Sequence, residues 1–193
     1  MKKIIIVMVL TIVVIMGASA QKLSGDLSPL RGQTEVNIVL DFSGTLVNGR
    51  TEQKYINEET KGKKAADKEK WLKEWNENLR SNAYSMLIRD FNKTIDKKLF
   101  VVDDIPDAEY TIYVKIKEIK TGYFAGVVAK PSELKAKVYF FRTGEDTPFA
   151  TAEYKKSRSK LSANIPYFVT RIAMSFGTLG SNIGKTVNKN LKK

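Results

Sequence analysis

The sequence predicts an α+β domain in which a mixed sheet carries an antiparallel meander and two long helices pack on it. Two observations lead to this fold class. Apolar and polar residues alternate in three short segments between residues 110 and 154, as they do in half-buried strands. Apolar residues also recur at helical spacing over 67–95 and again over 164–190. In chain order the elements are β-α-β-β-β-β-α, a pattern that places both helices against one mixed sheet.

The first twenty residues are typical of an export signal. Two lysines precede a nearly unbroken apolar run, Ile4–Met16, and alanines occupy the two key positions of a signal-peptidase site. As a helix this run spans only about 20 Å, whereas the hydrocarbon core of a bilayer is about 30 Å thick. We therefore expect residues 1–20 to be cleaved between Ala20 and Gln21. The mature chain then has no transmembrane segment and is periplasmic or secreted.

The mature chain divides into a short extension and one domain. Residues 21–35 are expected to form an amino-terminal extension, and residues 36–193 a single domain that opens with the strand Val36–Phe42. Residues 43–66 are polar and contain the turn signal Asn48-Gly49. Such a long polar connection is either functional or partly disordered.

The first helix is predicted over Asp67–Ile95, with Asp67 as its N-cap. Its apolar stripe has a residue at every fourth position and includes both tryptophans, Trp71 and Trp75. Because the tryptophans share this stripe with leucines, we assign them to the core.

The remaining elements follow in order. A short strand at Leu99–Val102 precedes the meander, and the final helix runs from about Asn164 to Asn190 with Pro166 near its first turn. The three meander strands are 110–117, 134–141 and 149–154. Glycines in the final helix indicate either a close approach to another backbone or a break near Gly177.

Composition excludes several classes of chemistry. The 193 residues contain no cysteine and no histidine, which excludes disulfide frameworks, thiol catalysis, zinc fingers and histidine-centred triads. The net charge is +12, and +10 remains after removal of the two lysines of the signal. This excess attracts anionic polymers or lipids, or it reflects only a solvated lysine-rich surface. Export makes nucleic acid an unsuitable partner, and no cofactor is expected.

Several phrases of the sequence resemble a known group of envelope domains. They are LFVVDD at Leu99–Asp104, AEYTIYVKIKEIKTG at Ala108–Gly122, and a helix that ends in FNKTI at Phe91–Ile95. Together with the element order they look like the small α/β domain shared by the TolB amino-terminal domain, the curli-secretion lipoprotein CsgG and related bacterial envelope proteins. Glu109 replaces the aspartate usual in that group, and the lipidated cysteine of many members is absent. The resemblance implies envelope assembly and protein–protein contacts, and supplies no catalytic residue.

One segment resembles an enzyme motif. Ile38–Leu46, with Asp41, Ser43, Gly44 and Thr45, looks like the first motif of haloacid-dehalogenase-type phosphohydrolases, an apolar strand followed by D-x-D-G-T. The resemblance implies that Asp41 is a nucleophile and that Asp103 and Asp104 imitate the family's magnesium-binding acids. Ser43 stands where the family has its second acid, and only one predicted helix separates the two acidic segments. A magnesium-dependent phosphohydrolase is therefore kept as the alternative function.

Acidic residues near the predicted turn at 105–107 admit a second interpretation. Asp103, Asp104, Asp107 and Glu109 offer oxygen ligands suited to calcium, but they lack the glycine and the spacing of an EF-hand loop. Aspartates at a strand end before a proline are ordinary turn residues. We favour the turn interpretation and assign no metal.

The best candidate site is the outward side of the meander with the apolar connection at 122–128. Cations and aromatics interleave there, which suits a partner protein, an anionic glycan or a lipid headgroup if no helix covers them. The predicted binding residues are Tyr113, Lys115, Tyr123, Phe124, Lys135, Lys137, Tyr139 and Phe141. We expect a non-enzymatic exported binding or assembly module whose partner is an envelope protein or an anionic envelope polymer. A purely structural, oligomerising envelope protein is a further alternative.

Overall fold

The fold is seen in a computed structural model, which describes residues 22–96 and 101–192. The strands are β1 Lys22–Gly25, β2 Glu35–Asp41, β3 Leu46–Val47, β4 Arg50–Thr51, β5 Val101–Asp103, β6 Tyr110–Lys120, β7 Tyr123–Ala125, β8 Val128–Lys130, β9 Glu133–Arg142 and β10 Ala150–Arg158. The helices are α1 Glu52–Thr60, α2 Ala65–Lys73, α3 Leu79–Thr94 and α4 Phe168–Leu191.

The large sheet has the strand order β1-β10-β9-β6-β2-β5. Strand β2 is parallel to both of its neighbours, β5 and β6. Strand β9 is antiparallel to both of its neighbours, β6 and β10. These strand directions confirm the predicted mixed sheet with an antiparallel meander, and a helical crossover joins β2 to β5.

Helices α3 and α4 pack on each other and on one face of the large sheet, which confirms the predicted fold class. The sheet side chains that face them are fully buried, among them Ile112, Val114 and Phe140. Helix α4 is continuous, and its glycines lie against α3: a Cβ on Gly180 would lie 2.1 Å from the carbonyl oxygen of Leu87. Of the two explanations offered for these glycines, close approach is right and a break near Gly177 is wrong.

The first long helix of the structure differs from the predicted one at its start and in its middle. It begins at Ala65 rather than Asp67, and its N-cap Lys64 provides no side-chain hydrogen bond. A five-residue π-helical segment, Glu74–Asn78, joins α2 to α3 without interrupting the helical path. Trp75 lies in this segment and is completely buried, as predicted.

Residues 43–66 are an ordered part of the domain, so the expectation of a polar connection is corrected. They contain the hairpin β3–β4 and helix α1, and α2 already begins before the segment ends. Asn48 and Gly49 form the hairpin turn, both with positive φ, as the sequence signal indicated. Strand β3 pairs in parallel with the end of β6, which ties the hairpin to the sheet. The helix was missed because it buries only Tyr55 and Thr60.

Three smaller differences from the sequence prediction concern the amino-terminal extension, the start of α4 and the connection at 122–128. Part of the amino-terminal extension forms the edge strand β1, which pairs with β10. Helix α4 starts at Phe168, so Pro166 precedes it instead of occupying its first turn. The connection at 122–128 forms a separate two-stranded hairpin, β7–β8.

Some predictions fall outside the described residues. The export signal, its cleavage site at Ala20 and Gln21, and the first residues of the strand predicted at Leu99–Val102 belong there. Within residues 22–96 and 101–192, no helix is both long enough and apolar enough to cross a membrane.

Candidate functional site

The outer face is the side of the large sheet that points away from α3 and α4. Strand alternation places the buried side chains toward the helices and the others on this face. We define the outer face by Val39, Asp41, Tyr113, Lys115, Lys137, Tyr139 and Phe141. These side chains are half-buried or exposed, so no helix of the described residues covers them.

An aromatic trio occupies the middle of the outer face. Tyr113 and Tyr139 are directly opposite each other on β6 and β9, with ring centroids 6.2 Å apart. Phe141 stacks on Tyr139 at 6.1 Å and meets the edge of Tyr113 at 6.5 Å. A groove of about 290 Å³ lies between two of these rings, Tyr113 and Phe141, and the turn after β9. Rings in such a mutual arrangement form a preorganised apolar surface at the centre of an otherwise polar face.

Asp41 anchors this face at the end of β2. Its Oδ2 accepts hydrogen bonds from the Tyr113 hydroxyl at 2.5 Å and from Lys115 Nζ at 2.8 Å. The backbone N–H of Ser43 donates to Oδ1 at 2.7 Å, and the Ser43 hydroxyl donates to Oδ2 at 2.8 Å. Lys115 also donates to the Ser43 hydroxyl at 2.9 Å. The carboxylate therefore holds one ring of the aromatic trio and neutralises the neighbouring lysine.

The electrostatics of this cluster follow from its hydrogen bonds. Burial alone would raise the pKa of Asp41, but the hydrogen bonds from Lys115, Tyr113 and Ser43 outweigh it and hold the pKa well below the ordinary value. Burial and the bond to Asp41 raise the pKa of the Tyr113 hydroxyl to about 12. Tyr113 therefore stays a hydrogen-bond donor and Asp41 a carboxylate throughout the neutral range.

Replacing Asp41 with asparagine is expected to lower the free energy of unfolding by about 1–3 kcal/mol at neutral pH, because charged hydrogen bonds are lost. The folded pKa of Asp41 is depressed, so its stabilisation is present above the unfolded value near 3.8. It is lost as the pH falls through the lowered folded pKa. Urea unfolding of the wild type and the variant at a series of pH values should show a constant difference in the free energy of unfolding near neutral pH. This difference should become smaller in acid. Replacement of the exposed Asp146 with asparagine is the control. A difference in unfolding free energy between wild type and Asp41→Asn that grows in acid would contradict the lowered pKa of Asp41.

A row of charged residues crosses the sheet beside the aromatic trio. The registers of the five strands from β1 to β2 place the following side chains next to one another: Lys22, Glu153, Lys137, Lys115 and Asp41. Lys137 also lies over the Tyr139 ring, with its Nζ 4.9 Å from the ring centroid. Further along the sheet Lys135 pairs with Glu118 at 2.6 Å. Lys137 and Lys115 are adjacent in this row and each has an acidic residue on its other side, so the charges beside the trio are close to balanced.

The predicted site residues fall on two separate surfaces. Tyr113, Lys115, Lys137, Tyr139 and Phe141 lie together on the outer face, and Lys135 lies at its margin. Tyr123 and Phe124 are on the hairpin β7–β8, whose strands pair only with each other. Sequence reasoning missed Asp41 as the anchor of the binding face, because only the parallel register reveals that it meets Lys115.

The acidic residues near the turn do not converge. Register places Asp103 beside Asn37, four residues before Asp41 along β2, a separation of about 13 Å. Asp103 accepts a hydrogen bond from the N–H of Asp104 at 2.8 Å, as a turn residue does, and Glu109 pairs with Arg142 at 3.1 Å. Across the described part of the chain, no three acidic side chains lie close enough together to hold a metal ion.

The fold and the outer face define an α+β domain with one helix-covered and one open sheet face. No protein-family model and no curated protein sequence matches the chain. Among solved structures it is similar to the PelC dodecamer from Paraburkholderia phytofirmans, at 8% identity and a TM-score of 0.43 over 83% of this chain and 96% of that one. A Xanthomonas campestris protein of family DUF330 gives 12% identity and a TM-score of 0.33 over 58% of this chain and 61% of that one. Likeness at this level assigns neither a family nor an activity.

Proposed function

We propose that the chain is an exported, non-enzymatic assembly module of the cell envelope that docks a partner protein on its outer face. The observation that carries this proposal is the aromatic trio of Tyr113, Tyr139 and Phe141 at the centre of an open sheet face. Stable protein interfaces have this anatomy, with aromatic residues at a desolvated centre and polar residues around them.

The charges of the outer face favour a protein over an anionic polymer. Lys115 is neutralised by Asp41, Lys135 by Glu118, and Lys137 lies next to Glu153 in register. A polyanion-binding surface needs several unpaired cations, and this face presents an almost balanced set. Paired charges at a rim provide specificity and orientation for a protein partner.

Export and envelope location rest on the sequence. The signal-like segment Ile4–Met16 and the resemblance of Ala108–Gly122 to TolB-type domains both support an envelope protein. The non-enzymatic character is supported by the absence of cysteine and histidine from the sequence and by the four hydrogen bonds to Asp41. Those bonds engage both oxygens of the carboxylate that the alternative hypothesis uses as a nucleophile.

Site-specific photocrosslinking in intact cells tests the docking face. A photoreactive phenylalanine analogue is placed at Tyr139, and at the exposed Ser81 of α3 as the matched control. We expect a discrete protein adduct from position 139 and none from position 81. A mass of two chains identifies the partner as a second copy, as the oligomerising alternative requires, and any other discrete mass identifies a different protein. No adduct, or the same adducts from both positions, overturns the proposal.

The phosphohydrolase alternative has one favourable observation, since Asp41 lies at the carboxyl end of a strand that is parallel to both neighbours. It is decided by phosphate release from a panel of phosphoesters with magnesium, measured for the wild type and for Asp41→Asn. We expect equal background rates. Magnesium-dependent release that disappears in the variant would establish hydrolysis instead.

A further inference from the structure

The hairpin β7–β8 exposes an unusually apolar tip. Val127 is fully exposed, Val128 is 53% exposed, and Tyr123 and Phe124 are exposed beside them. The single-turn helix Lys160–Asn164 contacts both hairpin strands and adds Leu161, which is 73% exposed. Isolated apolar side chains on a surface need no explanation, but four on one hairpin and a fifth on the helix packed against it mark an interaction site.

The base of the hairpin is held rigidly against the domain. Gly122 has φ 64°, and a Cβ there would lie 2.3 Å from the carbonyl oxygen of Lys130, so the chain turns out of the sheet at this point. The buried Arg171 of α4 donates to the carbonyl oxygens of Thr121 at 3.1 Å and of Ile165 at 2.7 Å. The hydroxyl of the buried Ser132 donates to the carbonyl oxygen of Arg171 at 2.7 Å. These bonds fix the direction in which the tip projects.

The tip pairs part of its own backbone. Its strands pair over Tyr123↔Lys130, Phe124↔Ala129 and Ala125↔Val128. Gly126 and Val127 close them with a two-residue turn in which Gly126 has φ 66°. This pairing satisfies the backbone groups that face the partner strand, and the groups on the two outer edges stay available to water and lipid headgroups. The hairpin is therefore suited to the headgroup boundary and not to the hydrocarbon core.

Cations surround this tip. Between Thr121 and Ser132 the only charged residue is Lys130, and no acidic residue follows Glu153, although nine lysines and arginines do. Two acids lie near the hairpin base, and each is matched by lysine: Glu133 by Lys120 at 3.2 Å and Lys156 at 3.7 Å, and Glu118, which borders a groove with Tyr123 and Lys130, by Lys135 at 2.6 Å. Lys130, Arg158 and Lys160 remain exposed around the tip. An apolar point inside a cationic collar is the pattern of a protein that binds an anionic membrane surface.

We infer that the hairpin Tyr123–Lys130 is a membrane-surface anchor, which inserts its apolar tip into the headgroup boundary of a bilayer containing anionic lipid. Insertion reaches about 5–10 Å, with the collar lysines at the phosphates. A convex tip fits a deformable lipid surface without a matching groove. A second copy of the chain is a less suitable partner for the tip, because it carries the same cations and the two sets repel each other. The anchor is a different surface from the outer face, so it orients the docking face relative to the membrane.

Vesicle cosedimentation tests the anchor with residues 21–193, which contain every described residue and lack the apolar run Ile4–Met16. The vesicles are phosphatidylcholine alone or phosphatidylcholine mixed with phosphatidylglycerol. We expect binding to the mixed vesicles that weakens as salt rises. The variant Val127→Ser/Val128→Ser should bind them at least about tenfold more weakly. Its matched control is Leu46→Ser/Val101→Ser, which removes two exposed apolar side chains from the large sheet outside the outer face and should bind like the wild type.

A fluorescent label provides a second readout. Because the chain has no cysteine, Val127→Cys and, as a control, Ser81→Cys each carry one environment-sensitive dye. The dye at position 127 should shift to the blue on anionic vesicles, and the dye at position 81 should not. Absence of vesicle binding, equal binding by the two double variants, or equal shifts at both positions overturns the anchor. Crosslinking from Tyr139 is measured separately, so failure of one proposal is distinguishable from failure of the other.

Discussion

Replacing Gly180 with alanine is expected to lower the free energy of unfolding by about 1–3 kcal/mol, although alanine is the better helix former. The added Cβ would lie 2.1 Å from the carbonyl oxygen of Leu87 and 3.1 Å from the backbone nitrogen of Phe91. Both atoms belong to the main chain of α3, which has no side-chain torsion with which to move away. The two central helices would have to separate, and the packing between them is the largest helix contact in the domain.

Gly177, one turn earlier on the same helix, provides the matched control. A Cβ there would lie 2.3 Å from Oδ2 of Asp90, the end of a flexible side chain that can rotate aside. Gly177→Ala should therefore be close to neutral, since the gain in helix propensity offsets a small rearrangement. Urea unfolding of both variants measures the difference. Equal losses from the two substitutions would show that the close approach of the backbones does not determine the effect.

The long helices were predictable because their stripes are long and regular, but the π-helical segment was not recognised. Residues at every fourth position, such as Trp71, Trp75 and Leu79, advance by about 400° per step, which exceeds a full turn by about 40°. An apolar stripe with this spacing drifts around an ideal α-helix. One wider π turn at Glu74–Asn78 returns part of the drift, and Trp75 and Leu79 are both fully buried. The strict spacing was therefore a signal for the irregularity as well as for the helix.

Elements that bury few side chains could not be predicted from periodicity. The edge strand β1 buries only part of Leu23, and α1 buries Tyr55 and Thr60. Every residue of β7 is exposed, so the hairpin has no alternation at all. Such elements are determined by pairing with distant segments, as when β3 joins the end of β6, and this information is not local in the chain.

The candidate site, too, could be predicted from the sequence only in part. Alternation along 110–117 and 134–141 correctly placed Tyr113 and Tyr139 on one side of the sheet. It did not reveal that β2 lies beside β6, where Asp41 reaches Tyr113 and Lys115 across strands separated by more than seventy residues of sequence. Tyr123 was predicted to share the same surface because it is near in sequence, but Gly122 turns the chain away from the sheet.

Replacing Trp75 with alanine is expected to lower the free energy of unfolding by about 3–5 kcal/mol, the cost of removing a large buried aromatic side chain. Trp75 has no exposed surface and stacks on Trp71, with the ring centroids 5.5 Å apart and the planes 5° from parallel. Its indole N–H donates to Oε1 of Glu52 at 2.7 Å, which links α1 to the long helix. Glu52 also forms an ion pair with Arg80. The substitution therefore removes the indole N–H that donates a hydrogen bond to this charged pair.

Trp75→Phe separates the two contributions, because phenylalanine keeps an aromatic ring and loses only the indole N–H and some volume. Its loss should be about 1–3 kcal/mol, since the partly buried Glu52 carboxylate gives up one hydrogen bond. Either substitution of Trp75 should also abolish the exciton signal of the stacked tryptophans in circular dichroism, because these are the only two tryptophans in the chain. A Trp75→Ala protein within about 1 kcal/mol of the wild type would mean that the π-helical segment does not serve as the joint between α1 and the core.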